Sequence, residues 1–473
     1  MSVRLSDNLD LIATAPAGIQ KMHGLIYEIA ARGMLDGDIA LPARSVKLGE
    51  VAEFVMGQAP PGTECNTNGV GMIFVKTGEF GEPFPVVREW TTKPLKFAKR
   101  GDVLICVVGA TVGKLNLAID CAIGRSVAAI RPCSDLETRY LHTALVPFTL
   151  RLREQSRGSA QGVIGKSELG QVQIRLPPLA EQHRIVAKVD ELMALCDRLE
   201  AEQTDAGAAH ARLVDTLLGT LTQSTDAAEL AANWQRLAKH FDTLFTTEAS
   251  LDALKQTILQ LAVMGKLVPQ DPNQEPVIRR LGESVDFLNG YAFKSEWFVK
   301  SGVRLLRNAN VAHGRCDWKD AAYLPQERQN EFKKFALEVG DLVLSLDRPI
   351  INTGLKIARI TESDMPCLIL QRVAKVSPFP GAVDMDYLYL WFNSPQFMGA
   401  INPGRSNGIP HISTKQVGDL PFVRYSLREQ HRIVAKVDEL MALVDRLKAN
   451  LADSRARQER LAATLIESAL QAA

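Results

Sequence analysis

The side chains best suited to chemistry in this sequence gather in short loops where glycine, cations and small amides alternate. Toward the N-terminal side these are FVKTGEF with Lys76 and Thr77, VGATVGK with Lys114, IGRSVA with Arg125, and RGSAQGVIGKSEL with Arg157, Ser159, Gln161 and Lys166. Further along come LLRNANV with Arg307, Asn308 and Asn310, SLDRPIINTG with Asp347, Arg348 and Asn352, LQRVA with Gln371 and Arg372, and GRSNGIPHISTKQ with Arg405, Asn407, His411 and Lys415. Arg reads guanine edges and Asn or Gln reads adenine edges, whereas Lys, Ser and backbone amides hold phosphates. The loops therefore have the composition of a DNA-binding surface, and the clusters carry more weight than any single member.

Catalytic patterns are missing. GATVGK, from Gly109 to Lys114, resembles a phosphate-binding loop, yet it is one residue short between its glycines, and Leu115 stands where a Ser or Thr must meet magnesium. No HExxH occurs, and His183 and His431 hold matching places in a repeated segment, where they read as solvated or packing residues. The D/N-P-P-Y/F tetrapeptide and glycine-rich cofactor loop of an amino-methyltransferase are absent, and EFKK near Glu331 and Lys333 reads as a charged turn. Seven scattered cysteines without a CxxC pair fit buried thiols, not a disulfide framework or a zinc finger. The expectation is a non-catalytic chain with no metal site.

The chain's 473 residues are 46% hydrophobic and 23% charged, an ordinary globular mixture with room for several domains. No apolar run reaches the roughly 18 residues of a membrane span, and MSVRLSDNLD lacks a basic-then-apolar start, so a cytoplasmic protein without a membrane partner is expected.

A repeat identifies the elements that must position the loops. EQHRIVAKVDELMALCDRL, from Glu181 to Leu199, returns as EQHRIVAKVDELMALVDRL, from Glu429 to Leu447, with only Cys196 exchanged for Val444. Apolar residues step by four and three in both copies: Ile185, Val189, Leu192, Cys196, Leu199 and Ile433, Val437, Leu440, Val444, Leu447. This heptad seam predicts helices that pack along other helices. Pro177 and Pro178 bar helix before the first copy, and Ser426 with Glu429 makes a capping box for the second. A weaker repeat pairs Ile19, Met22, Ile26, Ile29 and Gly33 with Leu251, Leu254, Ile258, Leu261 and Gly265, again helical and closed by a glycine. Upstream, Leu5, Leu9 and Ile12 fall opposite Leu237, Phe241 and Leu244.

The unit is thus helix, globular segment, helix, and it occurs twice. The globular segments open alike, as VKLGEVAEFVMGQ and RRLGESVDFLNGY, and each later carries Gly-Asp before an apolar strand, GDVLICVV and GDLVLSL. Short β-rich runs between Gly, Pro, Asn and Ser turns predict α/β or mainly β domains. Residues 44–180 carry 17 cations against 12 carboxylates, residues 279–428 carry 20 against 15, and the remainder carries 18 against 27. Two basic lobes on acidic helical spacers fit lobes that meet a polyanion and helices that do not.

PLAEQHRIVAKVDELMALCDRLEA, the LKQTILQLAVMGKLVPQDPNQEP segment from Leu254, and the duplication together resemble the specificity subunit of type I restriction-modification systems, across essentially the whole chain. The resemblance implies two β-rich α/β target recognition domains, separated by long helices in an antiparallel coiled coil about a pseudo-two-fold axis. On that basis residues 1–43 form a helical segment packing with the C-terminal helix, 44–180 and 279–428 the two recognition domains, 181–278 a central helical spacer, and 429–473 the C-terminal helix. Each lobe would read one half of a bipartite, asymmetric site on double-stranded DNA. The seam residues, Leu254, Ile258 and Leu261 included, would serve the coiled coil and two methyltransferase subunits, with two restriction or translocase subunits joining for cleavage. No cofactor is expected in this chain; S-adenosylmethionine, ATP and magnesium would belong to the partners. A helix from Glu181 to about Thr222 spans ~60 Å at about 1.5 Å per residue, enough to hold two modules more than one DNA turn apart. The alternatives are a coiled-coil adaptor with protein-binding lobes and a DNA methyltransferase with its own recognition domains.

Overall fold

A computed structural model describes residues 12–35, 43–156, 163–271, 273–401 and 411–472. Two compact units result, Met1–Ala206 with Asp453–Ala473, and Gly207–Ala452. Leu5 and Leu9 of the upstream match, and the candidates Arg157, Ser159, Gln161, Arg405 and Asn407, lie outside the described residues.

The first unit begins with helix α1 (Gly18–Arg32), which buries Ile19, Met22, Ile26 and Ile29 and ends at Gly33. Gly33 has φ of 74°, and an added Cβ would overlap the Arg175 guanidinium, so both backbone and space require glycine there. The strands that follow are β1 (Arg44–Lys47), β2 (Ala52–Met56), β3 (Met72–Val75), β4 (Val103–Cys106), β5 (Leu115–Leu117), β6 (Cys121–Ile123) and β7 (Val127–Pro132). Helices α2 (Thr138–Ser156) and α3 (Lys166–Gln171), then β8 (Gln173–Leu176), complete the first lobe. Strands run antiparallel in the order β2-β7-β4-β5, β1 pairs with β8, and β3 pairs in parallel with β6. Strand β4 and, as far as Ile130, β7 are apolar because both faces are covered. Val103, Ile105, Ala128 and Ile130 join one core, while Leu104, Val127 and Ala129 join another on the opposite face, as the two-residue period of a strand demands.

Helix α4 (Leu179–Gln223) leaves the first lobe, and α5 (Ala227–Lys239) and α6 (Glu248–Val263) follow it. The second lobe holds β9 (Val277–Arg280), β10 (Val285–Asn289), β11 (Val303–Leu306), β12 (Leu342–Ser345), β13 (Ile357–Arg359), β14 (Cys367–Ile369) and β15 (Val373–Pro378). Helices α7 (Met385–Phe392), α8 (Pro395–Ile401) and α9 (Thr414–Gly418), strand β16 (Pro421–Arg424) and the long α10 (Leu427–Ala472) finish the chain. The order β10-β15-β12-β13, the pair β9 with β16, and the parallel pair β11 with β14 repeat the first lobe strand for strand. Alternation recurs as well, with Leu342, Leu344 and Val376 in one core and Val343 and Val373 in the other.

Each long helix begins where the repeated Glu-Gln pair anchors it. Gln182 and Gln430 are fully buried. The Gln182 carboxamide accepts from Glu137 N at 2.7 Å and donates to the carbonyls of Asp135 and Pro177, both at 2.8 Å. Gln430 accepts from Asp384 N at 2.7 Å and donates to Tyr425 O at 2.8 Å. Ser426 Oγ accepts from Glu429 N at 3.3 Å, so the capping-box hydroxyl holds the start of α10.

Ile185, Val189 and Cys196 of α4 are buried in the first unit's core, with Leu192, Leu199 and α10's Leu465 and Ile466 packed against it. In the second unit Val214, Leu218 and Leu221 from later in α4 share a core with Ile433, Val437 and Val444 from early in α10. Leu254, Ile258 and Leu261 of α6 belong to that core, and Leu440 and Leu447 pack against it. The first unit thus combines the start of α4 with the end of α10, and the second combines later α4 with early α10. Lys21 of α1 pairs with Glu459 at 3.1 Å. Arg32 donates to the Leu470 carbonyl at 2.8 Å, near the end of α10. In the second unit Lys266 does the same for α4, donating to Thr222 O at 2.8 Å and Ser224 O at 2.7 Å. A cation on the last carbonyls of a helix is favourable both as a hydrogen bond and against the helix dipole.

Candidate nucleic-acid interface

In both lobes a parallel strand delivers its chain into a tight turn. Strand β3 runs into the turn Thr77–Glu79 and β11 into Asn308–Asn310. The third turn residue staples the backbone: Glu79 Oε2 accepts from Lys76 N at 2.9 Å, and Asn310 Oδ1 accepts from Arg307 N at 3.3 Å. This corrects one sequence expectation. Asn310 is only 1% exposed, and its carboxamide also takes Arg307 Nε at 3.1 Å while donating to Asp317 O and Asp320 O. An amide buried and satisfied on both ends holds a turn together and has nothing left for a base edge. Arg307 itself is half-buried and ion-paired with Asp320 at 2.9 Å.

Four loops of the second lobe converge on Asp347, two residues past β12. Its Oδ2 accepts from Asn308 Nδ2 at 2.8 Å, and its Oδ1 lies 2.6 Å from His411 Nδ1 and 3.4 Å from Arg372 Nη1. Arg372 Nη1 and His411 Nδ1 are 3.3 Å apart. Below them Ser345 Oγ donates to the Asp347 carbonyl at 2.9 Å, and the Lys356 ammonium, 8% exposed, stands 3.5 Å from the same oxygen. Burial lowers the Lys356 pKa from its ordinary value, with Asp347 acting in the opposite sense. Arg348 and Arg372 hold φ of 44° and 71°, costly for side chains with a Cβ, so their positions are imposed by the surrounding bonds. Arg348, Asn352, Arg372, His411 and Lys415 are exposed, and Asn308 is half-buried.

The first lobe has the same frame and different side chains. Arg125 is exposed in the turn between β6 and β7, as Arg372 is between β14 and β15. Where Asp347 bridges His411 in the second lobe, Val108 bridges Val163 in the first. Lys76 is ion-paired with Glu89 and lies 5.7 Å from the Phe74 ring, and its hydrogen bond to Glu89 raises its pKa. Thr77 is half-buried, whereas Lys114, after β4, and Lys166, opening α3, are exposed. Lys166 and Lys415 sit on matching short helices that the repeated Leu-Gly-Glu segments hold close. An ideal Cβ on Gly49 would lie 3.2 Å from Gly170 O, and one on Gly282 would lie 3.3 Å from Gly418 O.

Sequence reasoning missed two groups beside these turns. Gln58 and Tyr291 lie two residues past β2 and β10, are exposed, and bond through their backbone N–H to Ile123 O at 3.0 Å and Ile369 O at 3.1 Å. They therefore flank Arg125 and Arg372. The signal was the shared Met-Gly-Gln and Asn-Gly-Tyr ending of the two openings, where the glycine packs against carbonyls of the neighbouring turn. The composition of SLDRPIINTG names Asp347 among the loop residues without marking it as the carboxylate that holds the others.

Comparisons with known proteins agree with this layout. Residues 43–206 match the type I restriction modification DNA specificity domain, from β1 through the first lobe into α4. The chain is 48% identical over 340 residues to the type I restriction enzyme EcoAI specificity subunit of Escherichia coli, covering 63% of this chain and 58% of that one. The chain is therefore similar to type I specificity subunits. Another relative, the type I restriction enzyme EcoEI specificity subunit of Escherichia coli, is 30% identical over 346 residues, again 63% and 58% of the two chains. The chain thus spans less than two thirds of the length of these specificity subunits. A solved structure described as "Structural basis underlying complex assembly and conformational transition of the type I R-M system" shares the fold, with a TM-score of 0.52 and 20% identity over 92% of this chain and 98% of that one. Among the described residues, no group of three or more His, Cys, Asp or Glu could hold a metal ion, and no helix is long and apolar enough to cross a membrane.

Proposed function

We propose that this chain is the sequence-reading subunit of a type I restriction-modification complex, itself without catalytic activity. Residues 44–180 and 279–428 are its target recognition domains, residues 1–43 pack with the C-terminal helix, and residues 181–278 and 429–473 are the spacers. The observation that carries the reading is the pairing of one strand topology, used twice, with unlike side chains at matched loop ends, Val108 and Val163 against Asp347 and His411. A repeated frame sets two modules for one task, and unlike tips make them read unlike bases. The target is accordingly bipartite and asymmetric, with the excess cations of each lobe neutralising phosphates in a salt-dependent way.

Helix α4, 45 residues or ~68 Å at about 1.5 Å per residue, sets the gap between half-sites. The helical surfaces recruit two methyltransferase subunits, and two restriction or translocase subunits complete the complex. S-adenosylmethionine, ATP and magnesium act in those partners, in the cytoplasm.

The deciding experiment is selection from randomised duplexes at a fixed moderate salt concentration, with this chain co-purified with its methyltransferase subunit. The expected result is an enriched motif of two unlike half-sites at a constant gap. Salt-sensitive binding with no enriched sequence would leave a basic coiled-coil adaptor in its place. Methyl transfer from S-adenosylmethionine by the isolated chain would make it a methyltransferase.

A further inference from the structure

We infer that Asp347 is a positioning residue that presets Asn308 to read an adenine in the half-site of the second lobe. The inference rests on the proposed reading of that lobe as a DNA-contacting domain. An Asn side chain recognises adenine only in one orientation, accepting from N6–H through Oδ1 while donating to N7 through Nδ2. Left to itself a half-exposed carboxamide turns freely between that orientation and its mirror, which offers adenine two mismatched groups. At Asn308 the choice is made in advance. A carboxylate only accepts, so the Asp347 oxygen 2.8 Å away admits Nδ2 and excludes Oδ1. That bond uses one N–H and leaves the second N–H and Oδ1 as the adjacent donor and acceptor that adenine requires.

The carboxylate is itself immobilised. Its other oxygen lies 2.6 Å from His411 Nδ1 and 3.4 Å from Arg372 Nη1, and its backbone carbonyl takes the Ser345 hydroxyl at 2.9 Å. Only 17% of the side chain is exposed, so water competes weakly for these bonds. With its lone pairs engaged on both oxygens, Asp347 serves the neighbouring groups and does not read a base. The first lobe carries Thr77 and Val108 at the matched places and has no such carboxylate, so the effect belongs to one half-site.

The test is selection from randomised duplexes with the co-purified methyltransferase complex, comparing the wild-type chain with Asp347→Asn and Asn308→Ala. Asp347→Asn keeps the shape but can donate or accept, so Asn308 loses its fixed orientation. Both variants should lose about tenfold of adenine preference at the same single position. The other half-site and the salt dependence should stay as in wild type, which also reports an intact fold. Wild-type preference retained by Asp347→Asn overturns the positioning role, as does a loss by the two variants at different positions. Uniform weakening on all sequences by Asn308→Ala overturns it too, because Asn308 is then a phosphate contact. A wild-type complex that enriches no sequence overturns the DNA-reading function, and this inference falls with it.

Discussion

The two lobes place Tyr140 and Tyr387 alike, each phenol donating to a carbonyl of the closing strand, Arg175 O at 2.8 Å and Val423 O at 3.4 Å. One helical turn later the first lobe has Ala144 and the second Trp391, and the matched positions on the closing strands are Ile174 and Phe422. The second lobe fills its interior with a ring cluster of Trp391, Phe392, Phe397 and Phe422, whereas the first packs aliphatic side chains beneath one continuous helix, α2. Backbone pairing has been kept while the side chains that fill it were exchanged, which a core tolerates when the volume is made up by its neighbours. The loop ends differ by the same logic. Frame and contents are separable, so one scaffold can carry two unlike loop surfaces.

The sharpest way to break this comparison is at the ring cluster. Trp391→Ala should destabilise the second unit by about 4 kcal/mol in chemical denaturation. Trp391→Phe should cost far less, because the buried indole N–H has no hydrogen-bond partner among the described residues. Equal losses would mean that the polar edge, not the ring, carries the site.

The glutamine anchors come next. Gln182→Ala strands three backbone partners and should cost about 3 kcal/mol, while Gln430→Ala strands two and should cost about 2 kcal/mol. A reversed order, measured by denaturation, would show that the two helix starts are not equivalent anchors.

A comparable effect separates the lobes by pH. His142, two residues after Tyr140, stands where the second lobe has Tyr389. Burial, helped by nearby Arg139, pushes its pKa down from 6.5 to about 4. The unfolded chain takes the proton first, so the stability of the first unit falls as pH drops below 6.5 and levels off near 4, by roughly 3 kcal/mol in all. His142→Phe should flatten this dependence in unfolding experiments across that window, and an unchanged slope would assign the acid sensitivity elsewhere. The smallest effect is expected at the exposed Arg139–Asp190 pair, where Arg139→Ala should cost under about 1 kcal/mol and nothing measurable at high salt.

Much of the frame was legible in the sequence because its signals are local. Heptad steps at Ile185 to Leu199 and Ile433 to Leu447, prolines at 177 and 178, and terminal glycines at 33 and 265 each act within a few residues. Sheet order was not legible, since strands as short as Val103–Cys106 are apolar on both faces and contain nothing that names their partners. The loop candidates were half legible. Composition finds Arg372 and His411, but the same composition includes Asn310, which the fold buries as a staple, and it does not reveal the part played by Asp347, which comes from residues 39 and 64 positions away. Whether an amide faces solvent or holds a turn is decided by contacts distant in sequence.

The crossed ending of the long helices also bears on the order of synthesis. Glu459 and Leu470, which meet Lys21 and Arg32, lie 438 residues downstream of them. A ribosome releases the chain from its N-terminus, so α1 and the first lobe emerge long before the segment that covers them. The second unit, drawn from the continuous stretch Gly207–Ala452, can close while synthesis proceeds. The first unit must wait with part of its apolar surface uncovered until residues beyond Asp453 arrive, and that interval is when the chain is most open to aggregation.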